Sequence, residues 1–128
     1  MDASADPIRV AVIDDERDII ELIKLNVQGD PRFELAGEGT NGAQALEVLA
    51  EAEPDVVVLD LDMPYFDGLN AITHVRQGWP DVKIVVFSAR YEKYDAKDLV
   101  SSRADLYIDK TRGVPELLDG IAKLRAET

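Results

Sequence analysis

The sequence predicts a doubly wound α/β domain: a five-stranded parallel sheet, strand order 2-1-3-4-5, with helices on both faces. Three observations lead there. Five short apolar runs alternate with five stretches of helical periodicity, and that alternation gives parallel strands joined by right-handed crossovers. Two of the runs, DVVVLDL at 55–61 and KIVVFSA at 83–89, are almost unbroken series of β-branched or aromatic residues, as in central strands covered on both faces. The 128 residues suit one domain with one core, a single unit over 1–128 with its core at about 8–126.

Each element has its own signal. IRVAVI at 8–13 is the first strand, and the helix over roughly 16–28 gathers Ile19, Ile20, Ile23 and Val27 on one face. FELAGE at 33–38 is more polar, as suits a sheet edge. GAQALEVLAEAE at 42–53 follows as a helix capped by Asn41, with Ala45, Leu46, Leu49 and Ala50 as its apolar stripe. Between the two central strands, Asp67 to Gln77 reads as a helix capped by Asp67 and closed by Gly78 and Pro80. A polar helix over about 92–102 leads to the fifth strand, DLYIDK, and VPELLDGIAKLRAE forms the last helix, anchored by Ile121 and Leu124.

Composition narrows the function classes. A hydrophobic share of 46% against 31% charged residues describes a soluble globular chain without a long disordered region. The formal net charge of −12 argues against direct nucleic-acid binding, which needs a basic surface, and favours a cation or a basic partner. Without cysteine there is no disulfide or thiolate chemistry. MDASADP has neither a basic nor an apolar segment, and no later apolar run approaches ~20 residues, so the expectation is a cytoplasmic protein that does not enter a membrane.

Ligands of such sheets bind beyond the carboxyl ends of the strands, at a switch point of the strand order. The predicted strands place Asp14 and Asp15 after strand 1, Asp60 at the end of strand 3, Ser88 after strand 4 and Lys110 after strand 5, all on that edge. With strands 1 and 3 adjacent, Asp14, Asp15 and Asp60 share one cleft. Carboxylates so placed repel by roughly 4 kcal/mol per pair at ~4 Å and an effective dielectric near 20, so a cation is required. Hard oxygen donors without histidine or cysteine favour Mg²⁺. A cleft with Mg²⁺, a lysine, a hydroxyl and a carboxylate is equipped for phosphoryl transfer, with Asp60 as nucleophile.

These residues resemble the receiver domains of two-component response regulators, a flavodoxin-like, CheY-like (βα)5 family, over essentially residues 8–126. The acidic pair is matched by DDE at Asp14 and Asp15, the phosphoacceptor by Asp60, and the downstream MP and DG by Met63, Pro64, Asp67 and Gly68. Ser88 with Ala89 matches the hydroxyl position, Tyr107 the switch aromatic and Lys110 the family lysine. The resemblance implies direct Mg²⁺ ligation by Asp15 and Asp60, ligation by Asp62 through its main-chain carbonyl, and by Asp14 through water. It implies a phosphoryl donor histidine on a sensor kinase or phosphotransfer protein, and slow autodephosphorylation rather than enzymatic turnover. It further implies a switch in which Ser88 moves inward and Tyr107 turns, altering the surface of the helix at 92–102, strand 5 and the C-terminal helix, with homodimerisation through that surface.

Two features depart from the pattern. Thr111 stands where many relatives carry proline; a cis bond before threonine would cost ~3–4 kcal/mol, so a trans Lys110–Thr111 bond is expected. SSRADLY has Arg103 and Leu106 where many receivers have glycines before strand 5. Asp62 and Arg90 lie two residues after Asp60 and Ser88, positions that flank the phosphate in receivers, and the expectation is that they pair and impede attacking water. His74 and Trp79 read as surface or packing residues, Tyr91 and Tyr94 as exposed features of their helix. LDLD also resembles the Asp-x-Asp of haloacid dehalogenase-like phosphatases, but there that strand comes early and the acidic pair late, the reverse of this order. An interaction-only degenerate receiver usually lacks part of the acid set, which is complete here. The output is either a protein contact made by this domain alone or a further domain of a longer protein.

Overall fold

The structure is a computed structural model and describes residues 6–63, 68–89 and 104–127, with side chains in the third helix from Asn70 onward. The chain runs β1 (Ile8–Ile13), α1 (Arg17–Gln28), β2 (Phe33–Gly39), α2 (Gly42–Ala52), β3 (Val56–Leu59), α3 (Gly68–Gly78), β4 (Lys83–Ser88), β5 (Leu106–Asp109), a 3-10 turn (Lys110–Arg112) and α4 (Val114–Ala126). All strand pairs are parallel and the order is β2-β1-β3-β4-β5, as expected. The helix expected at 92–102 and its Tyr91 and Tyr94, together with Arg90, Pro64 and Asp67, lie outside the described residues.

Two-residue alternation divides the core between the faces of the sheet. Val10, Val12, Val58, Phe87 and Ile108 face α1 and α4, where Ile20, Ile23, Val27, Leu117 and Ile121 cover them. Ala11, Ile13, Val57, Leu59 and Val86 face the other way, onto Ala45 and Leu49 of α2 and Ile72 and Val75 of α3. Met63 is buried in this second cluster, Trp79 packs against it, and His74 is exposed on α3. Ile121 is fully buried and Leu124 packs at the margin of the first cluster, so both anchor α4.

The apolar stripe of α2 differs from the one its sequence suggests. Ala45 and Leu49 are buried and Val48 packs beside them, but Leu46 and Ala50 are exposed. At about 100° per residue, 45, 48, 49 and 52 span the face directed at the sheet, while 46 and 50 lie about 60° and about 100° beyond its edge. Gly37 permits this close approach, since a Cβ there would lie 2.8 Å from Val48 Cγ1. Asn41 caps the helix as expected, its Oδ1 accepting the Gln44 N–H at 3.0 Å.

Candidate functional site

β1 and β3 are adjacent, with Ile13 opposite Leu59, so the residues following them emerge side by side. Pairing continues one step past the strand: the Asp60 N–H donates to the Ile13 carbonyl at 3.1 Å, and the Asp14 N–H to the Gly39 carbonyl at 3.0 Å. Both aspartates are therefore fixed by their backbones, and both are buried. Asp14 Oδ1 accepts the Glu16 N–H at 2.8 Å, and Asp60 Oδ1 accepts the Asp62 N–H at 2.9 Å. Each carboxylate keeps its second oxygen for the cleft, where Lys110 meets both.

Lys110 is delivered from β5 by the turn that follows it. Asp109 Oδ1 accepts both the Thr111 N–H at 2.9 Å and the Thr111 hydroxyl at 2.7 Å, and these bonds hold the Asp109 carboxyl below the usual aspartate range. Proline at 111 could not donate the first of them. The Lys110–Thr111 bond is trans, as expected. Lys110 Nζ lies 2.7 Å from Glu16 Oε1, 2.9 Å from Asp14 Oδ2 and 3.2 Å from Asp60 Oδ2.

The electrostatics follow from burial. Burial pushes the Asp14 carboxyl from the ordinary 3.8 up to about 6, and the Asp60 charge adds to it, while the Glu16 N–H and Lys110 pull the other way. For Lys110, burial opposes the charged form, but hydrogen bonds to Glu16 and Asp14 and the charges of Asp60 and Asp14 outweigh it, so the ammonium is held above the ordinary lysine range. Asp14, Asp15, Glu16 and Asp60 each bring one carboxylate oxygen within 4.8 Å of the others. Among the described residues, four carboxylates against one ammonium leave negative charge uncompensated in a partly buried cleft, and the donors are all oxygen. That set fits a hard divalent cation such as Mg²⁺.

Ser88 ends β4 fully buried, and its hydroxyl has no hydrogen-bond partner among the described residues. An unmet buried hydroxyl costs ~1–3 kcal/mol, so this position suits an acceptor brought by a ligand. Tyr107 lies opposite Val86 on β5, half-buried against the cluster that holds Val86 and Met63. Two-residue alternation puts Ser88 on the same face as Val86, hence on the Tyr107 side of the sheet.

The structure thus brings together Asp14, Asp15, Asp60 and Lys110, with Ser88 at the same edge. The Asp62 side chain is exposed and its N–H serves Asp60. Glu16 is the residue that sequence reasoning missed. Its signal was the third letter of DDE, an acid directly after the pair, at the residue that caps α1.

Comparison with known proteins decides the family. The model of the response regulator receiver domain family matches residues 10–122. The chain belongs to that family. Receiver-containing relatives include a protein-glutamate methylesterase/protein-glutamine glutaminase of Rhodospirillum centenum, 38% identical over 116 residues that make up 88% of this chain and 29% of that protein. The transcriptional regulatory protein KdpE of Mycobacterium tuberculosis is 38% identical over 119 residues, 91% of this chain and 49% of that one. This receiver spans half or less of the length of those relatives. Among solved structures, the response regulator domain of Thermotoga maritima CheB superposes with a TM-score of 0.80 at 26% identity, covering 94% of this chain and 96% of that one. The REC domain of AraT from Geobacillus stearothermophilus gives 0.81 at 27% identity and 95% coverage of each chain. This chain is a response regulator receiver domain; receivers interact with histidine kinases or phosphotransfer proteins and generally use Mg²⁺ at an acidic pocket. Among the described residues no helix is long and apolar enough to cross a membrane.

Proposed function

We propose that this receiver accepts a phosphoryl group on Asp60 from a phosphohistidine of a sensor kinase or phosphotransfer protein. The observation that carries the reading is the setting of Asp60: buried, one oxygen on the Asp62 N–H, the other 3.2 Å from the Lys110 ammonium. An Asp60 oxygen attacks phosphorus, the O–P bond forms as the N–P bond breaks, and the electron pair returns to the imidazole nitrogen. Asp14, Asp15, Asp60 and the Asp62 carbonyl would hold Mg²⁺, which supplies charge neutralisation at the phosphoryl oxygens when bound. Lys110 gives a fixed positive charge to one phosphoryl oxygen, and the Ser88 hydroxyl donates to another.

The same bond supports a switch. A Ser88 hydroxyl drawn toward the phosphoryl group leaves space on the Tyr107 side of the sheet, and Tyr107 moves into it, reshaping the surface of β5, α4 and the segment before β5. That surface serves a homodimer or an output partner, and residues 1–128 act as one signalling domain in the cytoplasm, without nucleic-acid contact of their own and without catalytic turnover. Arg90, outside the described residues, acts with Asp62 to lengthen the life of the phosphoryl group; an unchanged dephosphorylation rate in Arg90→Ala would remove that role. The reading as a whole is tested by intact-mass analysis after incubation with acetyl phosphate. One phosphoryl group per chain, only with Mg²⁺ present, supports it; steady release of phosphate with no labelled protein contradicts it.

A further inference from the structure

Lys110 carries three N–H donors, and three carboxylate oxygens lie within 3.2 Å of its nitrogen. It donates hydrogen bonds to Glu16 and Asp60 and is ion-paired with Asp14, so its charge is already engaged by three carboxylates before any phosphoryl group arrives. A phosphoryl oxygen drawn to this ammonium competes with those carboxylates, and which of them yields is a property of the site. Asp14 and Asp60 side chains are 3% and 2% exposed and their backbones are tied into the sheet edge, so neither can retreat to water. Glu16 is 58% exposed and makes the shortest of the three contacts, 2.7 Å. It gives up Lys110 at the least cost, because water replaces the contact at once.

We propose that Glu16 is a positioning residue that holds the Lys110 ammonium in the unphosphorylated receiver and is displaced from it by the incoming phosphoryl oxygen. Glu16 acts as a built-in competitor for Lys110, occupying the donor that the phosphoryl group needs. The competition lowers the affinity of the site for a phosphoryl anion while keeping the ammonium aimed at Asp60. The backbone of Glu16 is already committed, its N–H to Asp14 and its carbonyl to the first turn of α1, so only the side chain exchanges partners. This inference rests on the phosphoacceptor reading of Asp60.

The test is titration calorimetry of beryllofluoride, a phosphoryl mimic, at a Mg²⁺ concentration that saturates each variant. Glu16→Gln should bind beryllofluoride about two- to fivefold more tightly than wild type, the release of one exposed ion pair. Asp18→Asn, which removes an exposed acid of the same helix turn, controls for loss of charge alone and should change the affinity less than Glu16→Gln. The Nζ resonance of Lys110, followed by nitrogen-detected spectroscopy in wild type, should move on adding beryllofluoride in the direction that Glu16→Gln alone moves it. Equal or weaker binding by Glu16→Gln, or an equal gain from Asp18→Asn, overturns the competition while leaving Asp60 as acceptor. Failure of the wild type to bind beryllofluoride overturns both.

Discussion

The two edges of this sheet handle charge in opposite ways. At the edge where the strands begin, Arg9 and Arg76 are matched to acceptors. Arg9 donates to the Ala52 and Glu53 carbonyls that end α2 and pairs with Glu34 at 3.0 Å, while Asp55 accepts the Arg9 N–H. Arg76 donates to the Pro80 and Val82 carbonyls and pairs at 2.7 Å with Asp105, which also accepts the Ile84 N–H. At the edge where the strands end, the described residues set one lysine against four carboxylates and leave a buried serine hydroxyl without a partner among them. The matched edge holds the fold together; the unmatched edge stores repulsion and an unmet donor that a cation and a phosphoryl group can relieve. Local polar satisfaction is given up where a ligand is to supply it.

Substitution at the two edges should move stability in opposite directions. Arg76→Ala removes two carbonyl contacts and a partly buried ion pair, and should lower unfolding free energy by about 2–3 kcal/mol in denaturant melts. Asp14→Asn should raise it by about 1–2 kcal/mol at pH 7.5 without Mg²⁺. The sign follows from the elevated Asp14 pKa, about 6 against 3.8 in the unfolded chain. Between those values the folded state holds more protons, so wild-type stability falls as pH rises from 3.8 to 6, and the advantage of Asp14→Asn should vanish near pH 4. Mg²⁺ affinity of the wild type, measured by calorimetry, should rise as pH passes through about 6, because the cation requires the deprotonated carboxylate. A destabilised Asp14→Asn would mean that the buried charge of Asp14 costs the fold nothing. The smallest effect is expected for Ser88→Ala. Its unliganded unfolding free energy should rise by about 1 kcal/mol, while its beryllofluoride affinity falls, because the hydroxyl has its partner only in the liganded state.

The sheet was legible because its inner strands β1, β3 and β4 are buried on both faces and so appear as nearly pure apolar runs, and all five described strands lie where the sequence places them. The cleft was legible because strand ends put Asp14, Asp60, Ser88 and Lys110 on one edge whatever the side-chain details. Two things were not. The face of α2 depends on whether the helix turns Leu46 or Val48 to the sheet, and both are apolar; the small Gly37 beneath Val48 settles it, a long-range fact absent from the helix pattern. Glu16 was passed over because an exposed acid opening a helix looks like an ordinary dipole partner. Only the fold brings Lys110, 94 residues away, to 2.7 Å. Thr111 stood out as a missing proline, but its two bonds to Asp109 needed the turn itself.

The claim at the centre is that the phosphoryl group is carried by Asp60 and by no other acid of the cleft. After incubation with acetyl phosphate and Mg²⁺, borohydride reduction converts an aspartyl phosphate to homoserine, and peptide mass mapping locates it. The account predicts homoserine at position 60 alone and none in Asp60→Asn. Homoserine at position 14, 15 or 62, or labelling that survives Asp60→Asn, would contradict it.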